Sequence, residues 1–305
     1  MHIPYAGELA SLLTSLMFSI GPTFFTLGTQ KVGSIVVNRT RLLLTVALLL
    51  IVHWIAIGTP LPLDAEPRRW FWLGLSGVIG LALGDTALFQ AFLLLGARLT
   101  MLIFSFSPVI AALFAWLFLG ETLTPLQIVA IFVTVLGIAW VVAERNRGNG
   151  KLPDEERKRF GLGIFFAFLG MLGQALGLVT AKLGLVGGDF PALSGQIMRM
   201  LTAMVLIWLV TILQGQVGFT FMRIKENPLS LRDISLGVLA GPFIGVYFSL
   251  VGVQLTDVGI ASTLQALPPI FMLPIAYFIF KERFSWQVVV GTIVALSGVA
   301  ILFLV

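Results

Sequence analysis

Long apolar runs joined by short polar connections make up this chain. Crossing the hydrocarbon of a bilayer takes roughly 20 apolar residues in a helix. Ten stretches meet that requirement: 9–29, 35–57, 70–93, 99–119, 125–143, 160–181, 191–213, 233–255, 258–280 and 285–305. The longer connections are 58–69, 144–159 and 214–232. The middle one, ERNRGNGKLPDEERKR, is charged and rich in helix breakers, and is expected to form a solvated hinge between two halves, 1–143 and 160–305.

The second half repeats the first. A shift from 76 to 237 carries Ser76, Gly80 and Gly84 onto Gly237, Gly241 and Gly245. The same displacement carries Pro108 onto Pro269, Glu121 onto Glu282, and Gly137 onto Gly298. A slightly shorter shift places Asn38 and Arg41 on Gln196 and Arg199. Each half holds an odd number of spans, five, so the second half enters the membrane from the opposite side. Secondary transporters use such inverted-topology repeats to expose one central site alternately to either side. The expected fold is therefore an all-α polytopic membrane protein of ten transmembrane helices in two five-helix inverted repeats.

Composition agrees. Hydrophobic residues make up 58% and charged residues 11% of the 305 positions, with a mean hydropathy of +1.03. Soluble domains carry about 25% charged residues. There is no cysteine and only two histidines, His2 and His53, so no thiol chemistry, Cys-based site or His-rich metal site is expected. The net charge of +5 lies mostly in the connections and not on an amphipathic element, which argues for membrane topology and against nucleic-acid binding. The opening MHIPYAGE lacks Lys and Arg and no small-residue cleavage site follows, so the first run is expected to be retained as a helix.

The segments SPVIAALFAWLFLGETLTPLQIVAIFVTVLGIAWVV (107–142) and PPIFMLPIAYFIFKERFSWQVVVGTIVALSGVAILF (268–303) each carry a proline, an apolar helix, a Glu after it and a glycine-bearing final helix. In these features the chain resembles the drug/metabolite transporter superfamily, specifically its EamA-like branch of two fused five-helix domains. The resemblance covers essentially the whole chain. It implies a transporter of small metabolites, often an exporter, without naming a substrate. No Walker sequence, dinucleotide fingerprint or Ser/His/Asp grouping occurs, so ATP hydrolysis and enzyme chemistry are not expected. No cofactor is expected either. Protons or a counter-substrate would then couple transport, and the expected partners are the bilayer and a small molecule. Monomer and homodimer are equally compatible with the sequence. The rival readings are a flippase for a lipid-linked substrate, a lipid-modifying membrane enzyme and a non-transporting membrane subunit.

Small residues every four positions (Ser76, Gly80, Gly84; Gly237, Gly241, Gly245) let another helix approach closely, either as static packing or as a rocking surface. Pro22, Pro108, Pro242, Pro268, Pro269 and Pro274 fall within the expected spans and free backbone carbonyls, as kinks or as cavity-shaping breaks. The matched Pro108 and Pro269 are the candidates for shaping a cavity. Glu121 and Glu282 lie at span ends, where a carboxylate can be solvated, cap the next helix or mark the family.

Ionisable groups inside spans are costly and normally face the bundle interior. Arg41 lies roughly 9 Å inside the central-loop face, Asp85 roughly 12 Å inside the same face, and Arg199 about 12 Å from the opposite one, at ~1.5 Å per residue. Arg41 and Asp85 are therefore expected to pair. That competes with a proton-carrying role for Asp85, because a nearby arginine favours the ionised carboxylate. The position matching Asp85 is Val246, so Arg199 is expected to lack an acid. Its guanidinium would then bond backbone carbonyls, Gln196, water, or a carboxylate or phosphate on a substrate. Asn38/Arg41 and Gln196/Arg199 are three residues apart and share a helix face. This repeated amide-plus-guanidinium unit is the leading site candidate, with Gln174, Tyr247 and Gln265 as further lining and Gln90 and Gln254 as other polar span residues.

Lys and Arg in the connections number 13 on the central-loop side and three, Arg68, Arg69 and Lys182, on the other. The positive-inside rule puts the central loop in the cytoplasm and both termini outside, in the inner membrane if the cell is prokaryotic. The family resemblance implies the reverse, cytosolic termini.

Overall fold

The computed structural model describes residues 5–107, 109–110, 113–114, 117, 124–148, 154–185, 190–255, 264–281 and 285–304. Regular structure among them is helical throughout: α1 (Ala6–Val32), α2 (Ser34–Ile57), α3 (Pro67–Leu95), α4 (Ala97–Phe104), α5 (Pro125–Gly148), α6 (Asp154–Leu185), α7 (Ala192–Leu213), α8 (Val217–Glu226), α9 (228–255), α10 (Pro268–Phe278) and α11 (Trp286–Leu304). Six of these helices are long and apolar enough to cross a membrane, lying in α1, α2, α3, α6, α7 and α9, and shorter apolar helices accompany them. Exposed Leu, Ile, Phe and Trp side chains crowd the outer surface, among them Trp54, Ile55, Phe71 and Leu213. That surface suits lipid, not water.

Two boundaries differ from the hydropathy pattern. The charged connection 144–159 is helical as far as Gly148 and again from Asp154. The connection 214–232 contains α8, whose Phe219, Phe221 and Met222 are exposed beside Arg223 and Lys225. Charges depress mean hydropathy at helix ends and in amphipathic helices, so a span-length criterion passes over them. Between α1 and α2, and between α3 and α4, the chain turns at one residue, Gly33 (φ 87°) and Gly96 (φ 80°). Positive φ is open to glycine at no steric cost.

The two small-residue ladders are not plain α-helix. Gly77–Gly84 in α3 and Leu239–Gly245 in α9 wind as π-helix. Both segments end at positions related by the repeat displacement, Gly84 and Gly245. Such wide turns are rare, and are often found at functional positions. Each lies against the first helix of the other half: Gly80 and Gly84 face Gly177 and Gly173 of α6, while Gly241 faces Gly21 of α1. A Cβ built on Gly173 would sit 2.6 Å from the Gly84 Cα, so these helices meet backbone to backbone. In the second half the contact is less bare, since Gly237 and Gly245 abut the rings of Phe25 and Phe18.

Two apolar clusters frame the centre. One gathers Phe25, Val36, Val37, Phe89, Phe92, Met101, Ile234 and Met272 from α1–α4, α9 and α10. The other gathers Leu42, Val46, Leu49, Leu81, Ala82, Ile197, Met200 and Ala203 from α2, α3 and α7.

Candidate functional site

Between those clusters, α2 and α3 are joined by a column of polar contacts. Ser34 Oγ donates to Gln90 Oε1 at 2.6 Å, and Asn38 Nδ2 donates to Thr86 Oγ1 at 2.9 Å. Deeper still, Arg41 Nη2 lies 2.8 Å from Asp85 Oδ2. The spacing 34, 38, 41 keeps one face of α2 on α3. Arg41 is 4% and Asp85 7% exposed, so the pair is essentially withdrawn from solvent. Arg41 also donates to Asn38 Oδ1 at 3.0 Å, and its guanidinium lies 5.2 Å from the centroid of the Phe89 ring.

The second half reproduces part of this. Arg199 Nη1 donates to Gln196 Oε1 at 3.4 Å, the counterpart of Arg41 on Asn38. Helix α7 packs on α2 and on the π segment of α3. The approach depends on Gly77, where any Cβ would overlap the Arg199 carbonyl oxygen. Arg199 is thereby brought within electrostatic reach of Asp85, which feels both arginines. The repeat-matched position is Val246, and among the described residues Arg199 forms no direct ion pair. Asp85 nevertheless forms its direct ion pair with Arg41. Arg199 Nε and Nη2 remain buried with no hydrogen-bond partner among the described residues, and Gln174 Oε1 is in the same condition.

The other expected site residues scatter. Gln265 belongs to a separate polar group, accepting from Ser249 Oγ at 2.7 Å and donating to the Ser249 carbonyl at 3.1 Å, with Ser11 beside it. Tyr247 is 62% exposed and packs edge-on against Phe248, with no described contact to the arginines. Pro269 does not interrupt a helix. Helix α10 begins at Pro268, so both prolines occupy the first positions, where a missing N–H costs nothing. The Pro268 carbonyl accepts from Ser19 Oγ of α1 at 3.1 Å. Pro22, Pro242 and Pro274 do lie inside their helices. Pro108, Glu121, Glu282 and the side chain of Gln254 lie outside the described residues.

Several contributors were not singled out by sequence. Ser34 and Thr86 complete the polar column, and Gly77 opens the way for α7. Arg39 points away from the cluster and ties α2 to α8 through Thr220 Oγ1 (2.9 Å) and Gln216 Oε1 (2.8 Å). At the other end of α2, the His53 ring accepts or donates to Ser194 Oγ of α7 at 2.9 Å and also contacts the Thr59 carbonyl. On the central-loop side, the fully buried Asp233 carboxylate is held by Lys31 of α1 and Arg232. Among the described residues no group of His, Cys, Asp and Glu could hold a metal ion.

Comparison with known proteins agrees with this architecture. A solved crystal structure aligns over 98% of this chain and 96% of its own length, with 15% sequence identity and a TM-score of 0.58, so the two share a fold. No curated protein matches the chain. The EamA-like transporter family matches residues 5–143 and again 161–304. With both halves matched, the chain belongs to the EamA-like transporter family and is a multi-pass membrane transporter of the drug/metabolite transporter type.

Proposed function

We propose that this protein exports a small organic metabolite by alternating access, through a cavity where two five-helix halves, 1–143 and 160–305, meet across the 144–159 connection. Supporting the reading is the packing of α7 on α2 and on the π segment of α3, which sets the repeat-related amide–guanidinium units Asn38/Arg41 and Gln196/Arg199 on adjoining helices beside the Arg41–Asp85 pair. Charged groups are tolerated at such depth where they serve a translocation path. The glycine ladders supply the moving parts in this scheme, because smooth backbone contacts such as Gly84 on Gly173 can slide without side chains interlocking. Arg41, Asn38, Gln196, Arg199 and Gln174 line the path, and Asp85 holds the first arginine in place. Protons or a counter-substrate drive the cycle. The charge count of the connections favours an inner-membrane orientation with the central loop in the cytoplasm.

The test is transport by the full chain in liposomes, with pools of amino acids and other small metabolites presented with and without a pH gradient. Uptake or counterflow of one pool, lost in Arg41→Gln, is the expected result. Transport of no compound from any pool refutes the reading.

A further inference from the structure

The guanidinium of Arg199 is used unevenly. Among the described residues only Nη1 has an acceptor, Gln196 Oε1, and at 3.4 Å that bond is long. The remaining donors, Nε and Nη2, lie side by side along one edge of the planar group. Both are buried, and no acceptor among the described residues faces them. Its repeat mate Arg41 also has a buried Nε without a partner among the described residues, but directs Nη2 to both Asn38 and Asp85. A buried charged donor without a partner is among the costliest features a protein can carry. Two parallel N–H groups on one guanidinium edge are the geometry that accepts the two oxygens of a carboxylate or phosphate side-on.

Charge points the same way. The cluster holds two guanidinium groups and one carboxylate, Asp85, whose direct ion pair is with Arg41. Val246 stands where a second acid would complete the symmetry. One positive charge is left over, and it is on the arginine with the open edge. The amide of Gln196 accepts from Nη1 and so holds the guanidinium plane from the far side.

We propose that the Nε/Nη2 edge of Arg199 is an oxyanion subsite that binds the carboxylate or phosphate of the transported molecule, with Asp85 limiting the site to one such group. This deepens the transport reading and rests on it. A neutral or cationic solute would leave the edge unmet, so the substrate class is organic acids or phosphate monoesters. Asp85 repels the bound oxyanion while anchoring Arg41, which keeps binding weak enough to permit release.

The purified full chain in detergent tests this through its melting temperature, read against propionate and benzoate, against methyl phosphate, and against propionamide and benzamide at matched ionic strength. The expected result is saturable stabilisation by the carboxylates or by methyl phosphate, whichever source the site prefers, and none by the amides. Arg199→Gln abolishes it. Arg199→Lys keeps the charge without the fork and weakens binding by about tenfold, and Gln196→Ala weakens it less; these two variants carry the test if Arg199→Gln does not fold. Asp85→Asn tightens probe binding by about tenfold, the factor worth ~1.4 kcal/mol. No stabilisation by any oxyanion, equal stabilisation by the amides, or full binding in Arg199→Lys overturns the proposal. Failure of the two readings is distinguishable. Oxyanion binding that depends on Arg199 without transport in liposomes refutes the transport reading alone. Transport of a neutral or cationic solute that survives Arg199→Gln refutes the subsite alone.

Discussion

Replacing Asp85 with Asn removes one negative charge and little volume from the centre of the bundle. The Arg41–Asp85 contact is 2.8 Å long and both groups are almost fully withdrawn from solvent. Two unit charges about 4 Å apart interact by about 4 kcal/mol at an effective dielectric constant of about 20. Removing one partner of a buried pair costs about 3–5 kcal/mol, because the surviving charge stays buried. At roughly 2–4 °C per kcal/mol for a chain of this order of size, Asp85→Asn should melt on the order of 10 °C below the parent protein. Arg41→Gln should cost a similar amount. The double substitution should cost distinctly less than the sum, giving a coupling energy of about 3 kcal/mol in a double-mutant cycle. Arg199 adds a second expectation. Since Asp85 also feels Arg199, Arg199→Gln should recover part of the stability lost in Asp85→Asn even with Arg41 intact. Thermal unfolding in detergent, followed by the intrinsic fluorescence of the seven tryptophans, reads all of these variants. Additive losses, or an Asp85→Asn protein that melts with the parent, would refute the view that the Asp85 carboxylate stabilises buried Arg41.

Gly77→Ala should remove most of the folded protein from a size-exclusion profile, because the new Cβ meets the Arg199 backbone carbonyl and not a movable side chain; a normal profile would show that α7 can retreat from α3. Asp233→Asn should loosen the Lys31–Arg232 clamp between α1 and α9. The chain has no cysteine, so Ser230→Cys, buried at the same end of α9, reports the change; its maleimide labelling should rise about tenfold for each 1.4 kcal/mol lost from the contact, and an unchanged rate would show that Asp233 does not hold α1 to α9. A reporter fused after Val305 should be inactive in the cytoplasm and active outside, as the distribution of Lys and Arg requires; cytoplasmic activity alone would reverse the orientation.

Much of this protein was legible without coordinates, and for a simple reason. Membrane spans are dictated by continuous apolar length, and inverted repeats by matching residues at a constant displacement; neither requires knowledge of what touches what. Ser76, Gly80 and Gly84 matching Gly237, Gly241 and Gly245 already located the helices that the other half packs against. The depth of Arg41 and Asp85 followed from counting residues along consecutive helices, and the structure shows those two side chains in contact. Local winding was not legible. A ladder of small residues at every fourth position is compatible with α-helix, and only tertiary contact selects the π turns that end at Gly84 and Gly245. Helix starts were equally hidden: Pro269 reads as a break within an apolar run but opens α10. Charged helix ends and α8 disappeared into connections, because averaging hydropathy discards amphipathic order.

The surroundings of Arg199 show the division most plainly. Sequence determined that an arginine lies well inside the apolar run 191–213, that an amide precedes it by one helical turn, and that its repeat-matched neighbour is valine and not an acid. From those facts alone, Arg199 stands by itself. Only the crossing of α7 over α2 and Gly77 sets it against helices of the other half, because which side chains share a low-dielectric space depends on where helices cross and not on their order in the chain. The same crossing leaves one edge of its guanidinium turned away from every acceptor described around it.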